Sequence, residues 1–205
     1  MGFYSRVIFP RLLDWSMSGE AFAAHRRELL KDVTGKVLEI GFGTGLNLAY
    51  YPDTVEQFTI VDPNPGVNAI AQKRIQSSDV EVNSQLISGE SLPMADAAFD
   101  SVVSTWTLCS IPQVEQALAE IARVLKPAGR FFFIEHGLSP EPNIQTWQNR
   151  LTPVQQVIAD GCHLNRQIRQ LVEQRFDLQQ LETFYQPGFP KIASYFYRGI
   201  ATPKR

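Results

Sequence analysis

Only two cysteines and three histidines occur in the 205 residues. Cys109 and Cys162 cannot build a disulfide framework. Neither lies in a CxxC or Cys/His cluster with metal-ligand spacing, so no metal site is expected and both read as reduced thiols. No apolar run approaches the roughly 20 residues of a membrane span, and the N-terminus lacks the basic, apolar and cleavage-site succession of a signal peptide. A cytoplasmic chain is therefore expected. Charge of one sign is also missing: 19 Lys and Arg stand against 21 Asp and Glu, a formal −2. Without a basic block to neutralise a phosphate backbone, a nucleic-acid partner is not expected. Internal repeats and low-complexity tracts are absent as well.

What is present is ordinary for a globular protein, with 44% hydrophobic and 20% charged residues on a length suited to a single domain. Apolar runs of strand length alternate with helical patterns from Lys36 onward, the signature of an α/β sheet covered on both faces. Strands are expected at 36–40, 57–61, 80–87, 99–104 and 130–135. Val114, Ala117, Leu118, Ile121 and Leu125 recur at helical spacing before Lys126-Pro127-Ala128-Gly129 stops the helix. Beyond His136, Pro140, Pro142 and Pro153 punctuate a polar stretch, and a helix is expected at about 165–173. Two strands at 176–184 and 192–200, joined by a turn-rich link, suggest a terminal antiparallel hairpin. Residues 1–35 read as an N-terminal helical segment and 36–205 as the main domain.

The run Glu39-Ile40-Gly41-Phe42-Gly43-Thr44-Gly45 places a glycine-rich turn directly after the first strand. Glycines there permit a sharp turn and let a ligand approach main-chain N–H groups. A following helix N-terminus would add partial positive charge for a carboxylate. The spacing is GxGxG, since the third position of a dinucleotide fingerprint falls on Leu46. Glu39 before the turn would repel a pyrophosphate yet pair with the ammonium of a zwitterion, so a nucleotide bearing an amino acid is preferred. Asp62, in Ile60-Val61-Asp62-Pro63-Asn64-Pro65 at the end of the second strand, suits the two ribose hydroxyls; a plain helix cap is the alternative role.

These residues resemble class I methyltransferases. In that family an acid precedes GxGxG and a second acid ends strand two. Ser88-Gly89-Glu90-Ser91-Leu92-Pro93 followed by Ala98-Phe99-Asp100 is similar to the adenine-contacting segment, and Leu125-Lys126-Pro127-Ala128-Gly129 to the turn before strand five. The resemblance implies a Rossmann-like, mostly parallel seven-stranded sheet and the cofactor S-adenosyl-L-methionine, with S-adenosyl-L-homocysteine as product. It implies cofactor contacts at Glu39, Gly41, Phe42, Gly43, Thr44, Gly45, Asp62, Pro63, Asn64, Ser88, Gly89, Glu90, Thr105 and Trp106. The family's usual GDAE is replaced by Ile87-Ser88-Gly89-Glu90, which removes the ordinary carboxylate partner of the adenine. Thr107-Leu108-Cys109-Ser110, Phe133-Ile134-Glu135-His136 and Asp160-Gly161-Cys162-His163-Leu164-Asn165-Arg166 are similar to a methyltransferase-like subfamily that is membrane-anchored in animals and methylates alkyl thiols. No long apolar anchor like that of those relatives is expected here.

Methyl transfer from a sulfonium is an in-line displacement that needs positioning, dryness and, for some acceptors, removal of a proton. His136 and His163 are the candidate bases, their unperturbed values near 6.5 suiting neutral pH. Tyr4, Cys109 and Asp160 are candidate acceptor contacts, with Tyr4 on a lid over the cofactor and Asp160 orienting a histidine or capping the turn at Gly161. The expected partner is a small-molecule methyl acceptor, a thiol ahead of a quinone precursor or phospholipid, in a monomer or homodimer. A nicotinamide oxidoreductase or a binding module without turnover are the competing classes. Finally, Phe3, Tyr4, Val7, Ile8, Phe9, Leu12, Leu13 and Trp15, interleaved with Arg6 and Arg11, suit either a peripheral membrane patch or packing on the core.

Overall fold

The computed structural model describes residues 2–78 and 81–204. A π-helical turn, Tyr4–Ile8, leads into α1 (Phe9–Met17), and α2 (Glu20–Leu30) follows. The sheet then begins: β1 (Gly35–Ile40), β2 (Val55–Val61), α3 (Pro65–Gln76), β3 (Val82–Gln85), β4 (Phe99–Thr105), α4 (Val114–Val124) and β5 (Leu125–His136). The chain closes with α5 (Pro142–Ile158), α6 (Ile168–Glu173), β6 (Phe176–Tyr185) and β7 (Tyr195–Pro203).

The strands lie in the order β3-β2-β1-β4-β5-β7-β6. β1 to β5 are mutually parallel, while β7 runs antiparallel to both β5 and β6. This is the Rossmann-like seven-stranded sheet, with its terminal hairpin, that the resemblance implied. Because β1 pairs with β2 on one side and β4 on the other, the connections leaving it diverge and open a crevice beyond the strands' carboxyl ends.

Side chains alternate across the sheet, so each strand feeds two cores. Leu38, Ile40, Val102, Phe131 and Phe133 face one way and meet Leu118 and Ile121 of α4, Ile168 and Val172 of α6, and Phe176. Val37, Phe58, Ile60, Val103, Phe132 and Ile134 face the other way and meet Leu29 and Leu30 of α2 and Ala71 of α3. The period that made α4 legible in the sequence is thus the contact period of its buried face. α4 ends at Val124, and Leu125 pairs with Phe99 instead of extending the helix.

Several expectations are corrected. The stretch punctuated by prolines is a helix, α5: Pro142 occupies the first turn, where no N–H is needed, and Pro153 sits on the exposed side. What holds α5 is buried and polar. Gln148 Oε1 accepts from Ser139 N–H at 2.9 Å, and its Nε2 donates to the carbonyls of Gly137 at 3.1 Å and Ile192 at 3.2 Å. After the glycine turn there is no α-helix, only a single 3₁₀ turn at Leu48–Tyr50, so no helix dipole reaches the loop. β3 is four residues long instead of eight, and Val80, where it was expected to begin, lies outside the described residues. β7 starts at Tyr195, since Lys191–Ala193 form a 3₁₀ turn. The N-terminal apolar stripe does not all pack on the core: Trp15 is 79% exposed and Phe3 72%.

Phe131 is fully buried between Phe133 and Phe176, with ring centroids 5.3 and 5.2 Å away. Phe131→Ala is expected to lower unfolding stability by about 3–5 kcal/mol, measured by urea denaturation; a loss near zero would show that α6 and β6 are not packed as described.

Candidate active site

A cavity of about 830 Å³ opens at the carboxyl ends of β1, β2, β4 and β5. Gly41, Phe42, Gly43 and Thr44 line it after β1, and Asp62, Pro63 and Asn64 after β2. Ser88, Gly89 and Glu90 follow from the β3 loop, Thr105, Trp106 and Cys109 from the end of β4, and His136 from the end of β5. Phe9, Leu13 and Met17 of α1 wall one side.

Two backbone positions leave no room for a side chain. Gly41 has φ +72°, and a Cβ there would stand 2.1–2.6 Å from Thr107. Only glycine accepts both the conformation and the contact. Gly89 lies against Ile40, whose Cγ2 would be 2.6 Å from an added Cβ. Gly45, by contrast, does not line the cavity; it backs onto the Phe42 ring and Ala71.

Asp62 accepts from Gly43 N–H at 2.9 Å through one oxygen and from Asn64 N–H at 2.8 Å through the other. Burial pushes its carboxyl above the ordinary value, against those two amides. Asp62 lines the cavity, and each of its oxygens, having accepted one amide, can accept a further hydrogen bond, which fits a vicinal diol. Asp62 is not the helix cap: Asn64 caps α3 by accepting from Gly66 N–H at 2.8 Å. In the β3 loop, Ser88 donates to Glu90 at 2.8 Å, and Glu90 also accepts from Gln113 N–H at 2.7 Å, anchoring the start of α4.

Glu39 departs from the expected arrangement. It is fully buried and does not line the cavity. Its oxygens accept from Asn47 Nδ2 at 2.7 Å and from Tyr51 Oη at 2.6 Å, so Asn47 stands between the carboxyl and the ligand space. Asn47 also donates to Thr105 Oγ1 at 2.9 Å and accepts from Arg26 Nε at 2.9 Å. Burial pushes Glu39 up to about 8 and lowers Arg26 to about 10. Arg26, whose guanidinium lies 5.0 Å over the Trp106 ring, carried no sequence signal beyond sitting in a predicted helix.

The loop after β4 is held by a second buried carboxyl that the motifs did not single out as functional. Glu135 accepts from the N–H groups of Leu108 at 3.0 Å, Thr107 at 3.1 Å and Cys109 at 3.2 Å, and from Ser104 Oγ at 3.0 Å. Burial pushes it up to about 7 against those donors. Arg166 secures the same loop from outside by donating to the carbonyls of Leu108 and Ile111. Trp106 has φ +50°, outside the ordinary range for an aromatic residue, and its indole N–H is buried without a partner.

Of the two histidines, one faces the cavity. His136 lines it, is 95% buried, and has no partner at Nε2, while Nδ1 lies 3.7 Å from Cys162 Sγ. The Cys162 and Cys109 sulfurs are 3.5 Å apart. The contact between the two sulfurs draws Cys162 below its ordinary value and pushes Cys109 above it. His163 is outside the lining with both nitrogens engaged: Nδ1 lies 3.1 Å from the Cys109 carbonyl and Nε2 2.6 Å from the Gln156 amide. It is a structural tie between the two cysteine segments. Tyr4 is likewise displaced from its expected role. It belongs to the π-helical turn, not to a segment preceding the helix, and its hydroxyl donates to the Ile158 carbonyl at 2.7 Å, away from the cavity. Asp160 lines the cavity but orients no histidine; it accepts from Ser5 Oγ and from Asn64 Nδ2 at 3.2 Å. Among the described residues no cluster of His, Cys, Asp and Glu has the arrangement of a metal site.

Residues 38–133 match the family described as methyltransferase domain. The chain is 34% identical to thiol S-methyltransferase TMT1B of Rattus norvegicus over 86% of this chain and 78% of that protein. It is 35% identical to thiol S-methyltransferase TMT1A of Homo sapiens over 72% of this chain and 65% of that protein. Among solved structures, the N-methyltransferase NodS from Bradyrhizobium japonicum WM9, in complex with S-adenosyl-L-homocysteine, superposes with a TM-score of 0.71 at 13% identity, covering 93% of this chain and 92% of that one. That last likeness is one of fold.

Glu39 offers a test of the buried network. Its folded value, about 8, lies above its ordinary 4.5. Its contribution to stability is therefore fully present below about pH 4.5 and is lost as pH rises through about 8. Between those limits the melting temperature of the wild type should fall relative to that of Glu39→Gln, followed by differential scanning fluorimetry; parallel curves would mean that Glu39 is ionised in the fold.

Proposed function

The chain belongs to the class I S-adenosylmethionine-dependent methyltransferases, and on that premise we propose that it methylates a small thiol held against His136. The enzyme class follows from the family. One observation carries the acceptor: the buried, unpartnered Nε2 of His136 at the apolar end of the cavity, backed by two cysteine sulfurs. The relatives' names, thiol S-methyltransferases TMT1B and TMT1A, point the same way.

The residues fit the cofactor. Gly41, Gly43 and Thr44 would admit its amino-acid part to the backbone, Asp62 would accept the ribose hydroxyls, and the Ser88–Glu90 loop with Phe42 and Pro63 would flank the base. Glu39 would contribute at one remove, by holding Asn47, which lines the cavity and in turn bonds Thr105. When bound, S-adenosylmethionine supplies an electrophilic methyl on a sulfonium centre.

The protein's work is positioning and one proton. A cysteine thiol has an ordinary value near 8.5 and a simple alkyl thiol lies above it, so most of the acceptor is protonated at neutral pH. His136 Nε2 takes the S–H proton, and the resulting thiolate becomes the methylated sulfur. His136 Nδ1 lies 3.7 Å from Cys162, whose lowered value lets the sulfur stabilise the imidazolium, and Cys109 lies 3.5 Å behind Cys162. The proton leaves His136 for solvent once product departs. Phe22, Trp106 and Phe196, with ring centroids 5.5 and 6.0 Å apart, keep that end dry. The segment 1–35 acts as a wall and lid through Phe9, Leu13 and Met17.

A panel of thiol, amine, phenol and lipid acceptors with methyl-labelled S-adenosylmethionine tests this reading. Alkyl thiols should be labelled, and His136→Ala should reduce kcat on them by about 10²–10⁴-fold while S-adenosylhomocysteine affinity changes little. Labelling of an amine or lipid headgroup in place of thiols would overturn the acceptor; an unchanged rate in His136→Ala would remove the base.

A further inference from the structure

α5 is built inside out. Its buried face carries Gln148 and Thr152, while Trp147, Leu151, Val154, Val157 and Ile158 are all exposed, Val157 at 72%. Trp147, Leu151, Val154 and Ile158 recur at i, i+4, i+7 and i+11, one continuous stripe. The N-terminal helix repeats the pattern: Ile8, Leu12 and Trp15 stand at i, i+4 and i+7, with Phe3 and Tyr4 ahead of them, and all are exposed. The bond from Tyr4 Oη to the Ile158 carbonyl joins the two stripes. Ten of the twelve large apolar residues exposed among the described residues therefore lie on two adjoining helices. A soluble surface distributes such residues singly.

Charge on this face has one sign. Arg6, Arg11 and Arg150 are exposed along the stripes. The one acid within residues 2–18 and 142–158 is Asp14, paired with Arg74 at 2.8 Å. Acids at the border are engaged too: Glu20 with Arg27, Glu141 with Lys191, and Asp160 with Ser5 and Asn64. Aromatic residues at the margins, aliphatic ones between, and unpaired arginines interleaved are the composition of a helix lying in the plane of a lipid surface. No helix of the described residues is long and apolar enough to cross a membrane.

We propose that α1 and α5 together seat the enzyme on an anionic lipid bilayer. The same helices wall the cavity, α1 through Phe9, Leu13 and Met17 and α5 through Gln155. An acceptor dissolved in the lipid thus reaches His136 without crossing bulk water. This route rests on the thiol reading above; the seating itself does not.

Flotation of the full chain with phosphatidylcholine vesicles, with and without phosphatidylglycerol, tests the seating. The protein should float with the anionic vesicles and progressively less as salt is raised. Trp15 and Trp147 should be quenched by brominated acyl chains while the inward-facing Trp106 is not. Trp147→Glu/Val154→Glu/Val157→Glu should abolish flotation. Arg11→Glu/Arg150→Glu, which leaves the apolar stripe intact, should weaken it at least tenfold, each arginine near an anionic surface being worth about fivefold. Both variants should keep wild-type melting and S-adenosylhomocysteine affinity. Absence of flotation, variants that float like wild type, or a dimer that the glutamate variant dissolves in solution would overturn the proposal, the last by showing a second copy on this face. With a long-chain thiol in the vesicles and a short soluble thiol as control, the variants should lose rate on the first alone. If no thiol is methylated but the wild type floats, the acceptor reading falls and the seating stands.

Discussion

Where β1 ends, the backbone at Gly41 passes so close to Thr107 that no side chain fits between them. That contact joins the loop after β1 to the loop after β4, the two connections that diverge at the sheet's switch point. Gly41 sets how near the two loops come, and Glu135 sets the shape of the second one by accepting three consecutive amides. With both in place, Trp106 is held at positive φ and Thr105, Cys109 and His136 face a common space. Loosen either, and the cavity loses one of its walls.

Under that cavity lies a buried polar layer. Glu39, Asn47, Tyr51, Thr105 and Arg26 form one connected network in which Asn47 donates to Glu39 and Thr105, Tyr51 donates to Glu39, and Arg26 donates to Asn47. A buried carboxyl unsupported by such partners would cost several kcal/mol, so the network has to be complete to be tolerated. Its function is to fix side chains that do touch the ligand space. The methyltransferase reaction asks little of any side chain chemically, and much of it geometrically.

The two cysteines show how a small change of partners changes meaning. Each alone is a buried thiol of the ordinary filling kind. Placed 3.5 Å apart and 3.7 Å from His136, they form one line of polar contacts, and an imidazole whose other nitrogen is without a partner stands at its end. α5 makes the complementary point at the surface. Its polar side is consumed by Gly137, Ser139 and Ile192, which leaves the apolar side with no partner inside the molecule.

Much of the architecture was legible in the sequence for a simple physical reason. Strands buried on both faces need unbroken apolar runs, and a helix packed on them needs a 3.6-residue period, so β1, β2, β4, β5 and α4 announced themselves. Glycines at positive φ and an acid at a strand end are likewise local requirements, which is why the loop from Gly41 and the position of Asp62 were readable. α5 was not, because its prolines read as breakers and its buried face is polar; its stability comes from carbonyls and amides distant in the chain. Nor could local sequence say that Glu39 turns inward to Asn47 and Tyr51, that His163 spends both nitrogens on structure, or that Tyr4 points away from the ligand space. Those outcomes depend on which residues of different elements arrive within hydrogen-bonding distance of one another. The sequence by itself determined the sheet, the turn and the cofactor class; the tertiary structure decided which acids and bases line the cavity and which are consumed in the network beneath it, because burial and partners, not residue identity, set what a titratable group does.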